Sequence, residues 1–174
     1  MSIGTEVRHV ETSRPAWWKG ARGEWYVVVQ LAFFALILFG PRTWPGGPLV
    51  AWPYQRAWSV AALALVVAGG VLLLSGGLWL GPRNLTPLPH PRDEGTLVDT
   101  GPFALVRHPI YSGGFLIAVG WAIWVRGPLT LVYVALFLVF LDVKSRREEE
   151  WLREKFPGYG DYQARVQKLI PFVY

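Results

Sequence analysis

The chain alternates between long stretches without a charge and short polar stretches rich in proline and glycine. Trp25 to Gly40, WYVVVQLAFFALILFG, is uncharged and ends at Pro41-Arg42. As helix it covers only about 24 Å, so it is a short span or begins a few residues earlier. Ala57 to Leu80 is the clearest span, about 36 Å long if wholly helical. Tyr111 to Val125 and Pro128 to Leu141 are apolar again, separated only by Arg126-Gly127. So tight a break predicts a helical hairpin, with Gly127 and Pro128 as stop and start signals. Beyond Leu141 the pattern changes to DVKSRREEEWLREKF, and no breaker intervenes before Pro157. The last apolar helix is therefore expected to run on into water to about Phe156. The predicted fold class is all-α: a polytopic membrane bundle of about four transmembrane helices, its C-terminal helical hairpin extending into the cytoplasm.

The polar stretches give the domain plan. Residues 1–24 form a cytoplasmic N-terminal segment in which Trp17-Trp18-Lys19 reads as an interfacial anchor. Residues 25–80 hold two transmembrane helices, joined by an aromatic Pro/Gly/Trp loop at 41–56. Within the second span Gly69, Gly70, Gly76 and Gly77 recur at a heptad, a spacing that lets another helix approach closely. Residues 81–174 make up the remaining region. It opens on a central loop, Gly81 to Pro109, whose six prolines keep it mostly extended or turning. Fourteen of the seventeen Lys and Arg residues fall on residues 1–24, this loop and the C-terminal tail; Arg42, Arg56 and Arg126 lie on the other side. That bias places both termini and the central loop in the cytoplasm; the expected location is the cell (inner) membrane.

Composition narrows the classes. Hydrophobic residues make up 52% of the chain and ten are tryptophan, which fits a membrane protein better than a soluble domain of this size. A net charge of +5 invites a nucleic-acid reading. The basic residues flank apolar segments, however, and do not build one basic-aromatic surface, so they are placed for anionic lipid headgroups. There is no cysteine, which excludes disulfides and thiolate chemistry. His9, His90 and His108 are scattered, and no metal site is expected. The N-terminus lacks the features of a cleaved signal peptide and is expected to stay on the mature chain.

Two constellations carry candidate chemistry. In GTLVDTGPFALVRHPIYSG (Gly95 to Gly113), Arg107 supplies a permanent planar cation and His108 a ring that donates or accepts. Pro109 fixes the chain between His108 and Tyr111. The same residues also suit a basic interfacial loop that only anchors two helices. Further on, Lys144 and Glu148 are four apart and share a helix face, with Glu149 about 100° away. Glu148, Glu149 and Glu150 alone would suit a solvated helix. Their origin directly beyond a span, on the side of His108, argues for more.

GTLVDTGPFALVRHPIY followed, after a helical hairpin, by a Glu-Glu pair resembles the isoprenylcysteine carboxyl methyltransferase family and its phospholipid methyltransferase relatives. Leu152, Phe156, Tyr162, Val166 and Pro171-Phe172 continue the pattern, so the resemblance covers roughly residues 80–174. It implies an integral membrane methyltransferase in which an Arg-His-Pro-x-Tyr motif and the distal pair hold S-adenosyl-L-methionine. Gly95, Thr96, Leu97, Val98 and Phe103 would line the cofactor pocket. His108, Pro109, Ile110 and Tyr111 would contact the cofactor, and Glu148 would take a polar end of it. Arg107, Lys144 and Glu149 would be the catalytic positions. Lys144 stands where the family often has an arginine facing the substrate, which loses the bidentate fork; Phe103 replaces a frequent tyrosine.

Methyl transfer from a sulfonium is an in-line displacement, so such an enzyme aligns donor and acceptor and excludes water. A lipophilic small molecule or lipid is the acceptor implied by the location. Two other classes stay open: a membrane reductase using NADPH, since the family's C-terminal half resembles that of sterol reductases, and a non-catalytic subunit binding lipid or a partner.

Overall fold

The computed structural model describes residues 22–171; Trp17-Trp18-Lys19, His9 and Phe172 lie outside them. The described residues form α1 (Glu24–Phe39), α2 (Gln55–Asn84), a 3₁₀ turn (Gly101–Ala104), α3 (Pro109–Val125), α4 (Pro128–Lys155) and α5 (Tyr159–Arg165), and no strand.

Helix ends fall where backbone chemistry requires. α1 stops at Gly40, whose N–H donates to the Leu36 carbonyl at 2.9 Å. α3 stops at Arg126, which takes a left-handed conformation (φ 56°), and α4 starts at once with Pro128 in its first turn. The loop between α1 and α2 grips this connection: Val50 N–H donates to the Arg126 carbonyl and Leu129 N–H to that of Arg42. α4 then runs unbroken to Lys155, since nothing before Pro157 interrupts it. The central loop is more ordered than its prolines suggest. α2 breaks at Gly81 (φ 69°, ψ 169°), a backbone region open mainly to glycine, and resumes for one more turn through Asn84. The 3₁₀ turn at Gly101–Ala104 is a second helical piece in the loop.

The tightest packing joins α2 to α3 as an antiparallel pair. A Cβ on Gly69 would lie 2.6 Å from the Gly113 carbonyl oxygen, one on Gly113 2.5 Å from that of Gly69, and one on Gly120 2.6 Å from that of Ala62. Backbone therefore rests on backbone along a seam that advances by heptads on both helices. Of the four glycines singled out in α2, Gly69 and Gly76 face this seam, whereas Gly70 and Gly77 face open space. α1 packs on α4 instead. There Phe33 meets Phe137 and Phe140, over a core of Ile37, Ala118, Ala122, Val134 and Leu141.

The outer surface is apolar. Val60, Leu63, Val67, Val71, Leu74 and Leu78 form one exposed stripe on α2. Such a surface suits hydrocarbon and would be a liability in water. α2 and α4 are long and apolar enough to cross a membrane; α1 and α3 are apolar but shorter, at 16 and 17 residues.

A side chain at the seam must push two backbones apart. Gly113→Ala and Gly69→Ala are each expected to destabilise the protein by about 1–3 kcal/mol. Gly70→Ala, facing open space, should be neutral or stabilise by a few tenths to ~1 kcal/mol. Unfolding in detergent followed by circular dichroism separates them, and equal midpoints for Gly69→Ala and Gly70→Ala would refute the seam.

Candidate functional site

Beyond its apolar part, α4 presents Lys144, Glu148 and Leu152 at four-residue steps, hence on one face. Opposite them His108 caps α3 and Pro109 opens it, so that Tyr111 falls one turn in. The chain from Gly95 to Val98 closes a third side. Gly95 is required there: a Cβ would meet Asn84 Oδ1 at 2.8 Å and the Arg92 carbonyl at 3.0 Å. Asn84 Oδ1 accepts from Thr96 N–H at 2.8 Å and fixes this segment against the last turn of α2.

Together these elements enclose a cavity of about 490 Å³. Gly95, Thr96, Leu97, Val98, Phe103, Arg107, His108, Pro109, Ile110, Tyr111, Lys144 and Glu148 all line it. Glu149 does not. It points behind the wall, as the 100° offset from Glu148 requires.

The cavity has a charged end. Tyr111 Oη donates to Glu148 Oε2 at 2.6 Å, and the Tyr111 ring stacks on His108 at 5.3 Å. Lys144 is only 2% exposed; its Nζ sits 4.8 Å from the Tyr111 ring centre and donates to Gln30 Oε1 at 2.6 Å. The rest of the lining is mostly apolar or aromatic. Burial pushes the Tyr159 and Tyr162 hydroxyls well up, so both stay protonated at neutral pH. Tyr162 uses its proton to donate to the Phe103 carbonyl at 2.7 Å.

Behind the wall, Glu149 collects three donors. Arg107 Nε lies at 2.8 Å, His108 Nε2 at 3.1 Å and Gln163 Nε2 at 2.8 Å. Because a carboxylate only accepts, the Nε2 of His108 carries a proton, and a neutral ring then offers its Nδ1 lone pair on the side of Glu148. Arg107 Nη1 donates to the Gln163 and Val166 carbonyls. The segment after α5 completes the grip: Arg107 N–H donates to the Gln167 carbonyl, His108 N–H to that of Lys168, and Ser112 Oγ to that of Leu169. Arg107 and Glu149 are thus the frame that orients His108.

Gln30, Asn84 and Tyr159 are among the lining residues that the sequence motifs do not name. Gln30 was signalled by being the one amide in the first apolar stretch, where polar groups are costly. Asn84 and Tyr159 had no such signal; their place depends on the break at Gly81 and on the return of α5. No buried side-chain polar atom among the described residues lacks a partner.

Residues 58–158, more than half of the chain, match the model of the family described as phospholipid methyltransferase. The chain is 30% identical to the nickel-cobalt-cadmium resistance protein NccN of Alcaligenes xylosoxydans xylosoxydans, over 86% of this chain and 63% of that protein. It is 31% identical to the protein-S-isoprenylcysteine O-methyltransferase of Mus musculus, over 71% of this chain and 46% of that one. Among solved structures it resembles the eukaryotic intramembrane Ras methyltransferase, an isoprenylcysteine carboxyl methyltransferase. There the TM-score is 0.56 and the identity 25%, over 87% of this chain and 53% of that chain. The chain spans less than two thirds of the length of these relatives.

Glu149→Gln leaves the Arg107 guanidinium, itself only 8% exposed, without its carboxylate. The expected loss is about 3–5 kcal/mol of stability. Exposed Glu150→Gln, which breaks a pair with Arg147, should cost less than ~1 kcal/mol. Denaturant titration in detergent reads the difference, and similar losses for both would rule out the framing role.

Proposed function

The chain belongs to the phospholipid methyltransferase family, and on that premise we propose that it is an integral membrane methyltransferase, moving a methyl group from S-adenosyl-L-methionine to a lipophilic acceptor at the cytoplasmic face. The single observation that carries this reading is the cavity. It joins one carboxylate, Glu148, and one buried ammonium, Lys144, at the end of an otherwise largely apolar chamber beside the membrane-crossing part of α4. In this topology four helices cross the bilayer, and both termini lie with the cavity on the cytoplasmic side.

The residues present fit such a cofactor. Glu148 suits its amino group and its positive centre. The backbone from Gly95 to Val98 offers hydrogen bonds to its polar edges, and Phe103 and Leu152 offer apolar walls to its flat base. When bound, the cofactor supplies an electrophilic methyl group on sulfonium. The chain's own work is then alignment and exclusion of water. Lys144 repels a cation, so it serves the acceptor end, donating to an acceptor oxygen. A carboxylate acceptor needs no base. An amine acceptor must lose a proton, and His108 Nδ1, with its tautomer set by Glu149, is the group placed to take it. Arg107 and Glu149 act through His108 and hold it; Tyr111 holds Glu148.

Calorimetry on the detergent-purified protein tests the proposal. S-adenosyl-L-methionine is expected to bind, and Glu148→Ala to weaken binding by about tenfold to a hundredfold, as loss of a charged hydrogen bond implies. His108→Lys should also weaken it, whereas a purely lipid-anchoring loop would tolerate the swap. Absence of binding, or binding of NADPH in its place, would overturn the proposal. Labelled-cofactor transfer into lipid extracts, read by mass spectrometry, identifies the acceptor.

A further inference from the structure

On the far side of the Arg107–Glu149 wall lies a second, polar hollow of about 300 Å³. Arg107, Arg146, Arg153 and Lys168 face it against Glu149 and Glu150, four cations to two carboxylates. Arg146, Glu149, Glu150 and Arg153 follow one face of α4, at steps of three, four and seven. Lys168 comes from the segment that folds back over that face.

The height of the hollow is set by the helix. The apolar part of α4 ends at Leu141, and Lys168 Nζ donates at 2.8 Å to Asp142, the next residue. The inner edge therefore lies where hydrocarbon gives way to headgroups. Arg146 and Arg153 flank it with side chains 64% and 49% exposed, so their guanidinium forks reach solvent. Arg146 is paired with Asp142, and Arg153 donates to Gln163 Oε1. An oxyanion would join these contacts by sharing donors, since each guanidinium carries five N–H groups. Planar forks beside a buried ammonium are suited to phosphate oxygens.

We propose that this hollow binds a phosphate oxyanion, presented by the headgroup of an anionic phospholipid in the leaflet beside α4. The site is distinct from the reaction cavity and shares one wall with it, because Arg107 lines both. It needs no methyl donor, and its test is independent of the methyltransferase reading.

Detergent-purified protein is titrated with phosphatidylglycerol, phosphatidylcholine or inorganic phosphate, and occupancy is read by native mass spectrometry. Saturable binding of phosphatidylglycerol over phosphatidylcholine is expected, weakened by about tenfold or more in R146Q/R153Q. Both arginines are exposed, and R146K/R153K, which keeps the charge, should recover part of the affinity. If the double variant fails to fold, R153Q alone is expected to give a smaller loss in the same direction. Saturation by inorganic phosphate without any preference for phosphatidylglycerol would keep the oxyanion site and overturn the lipid source. Unsaturable binding, or equal affinity in the wild type and a folded glutamine variant, would overturn the site.

Discussion

The buried pair between Arg107 and Glu149 is the constraint on which the rest of the cavity depends. A guanidinium and a carboxylate taken out of water are tolerable only with close geometry and further hydrogen bonds. Here the guanidinium finds the Gln163 and Val166 carbonyls, and the carboxylate finds His108 and Gln163. Satisfying those demands draws three distant parts of the chain together: the start of α3, the outer part of α4, and α5 with the turn after it. Glu149, which does not face the cavity, holds His108, which does. Glu148 and Glu149 divide the labour by their angular offset alone, one facing in and one facing back.

The glycine seam supplies the rigid floor. Because α2 and α3 touch through backbone, their relative height is set within a narrow range, and that height fixes where Pro109 and His108 begin α3. Gly76 lies against Pro109 and Ile110, so the seam reaches the cavity itself. Small residues thus position chemistry several turns away.

Much of this was legible in the sequence because the signals were local. Apolar runs, Pro128 after Gly127 and the unbroken pattern to Phe156 marked α1 to α4 to within a few residues. The pairing of the loop from Gly95 with Glu148 and Glu149 rested on the charge count and a family resemblance; Glu148 lines the chamber with Gly95, His108 and Tyr111, whereas Glu149 lies behind its wall. What could not be read was non-local. Four glycines at a heptad do not say which two meet a neighbour. Proline-rich sequence suggested an extended loop, yet Gly81 let α2 resume and bring Asn84 to Thr96. The inward turn of Glu148 and the backward turn of Glu149 depend on where α4 sits against α3. Gln30 reaches Lys144 across more than a hundred residues, beyond any spacing rule.

The return of residues 163–169 over α3 also sets an order in time. The chain is made from its N-terminus, and the apolar helices are complete before these residues exist. Until then Arg107 has neither of its carbonyl partners, Glu149 lacks Gln163, and Ser112 has no Leu169 carbonyl. The hydrophobic bundle can therefore be in place while the polar lock is still open. The site is finished by the final stretch of the described chain, so correct insertion of the helices and a competent cavity are two separate events in the life of this protein.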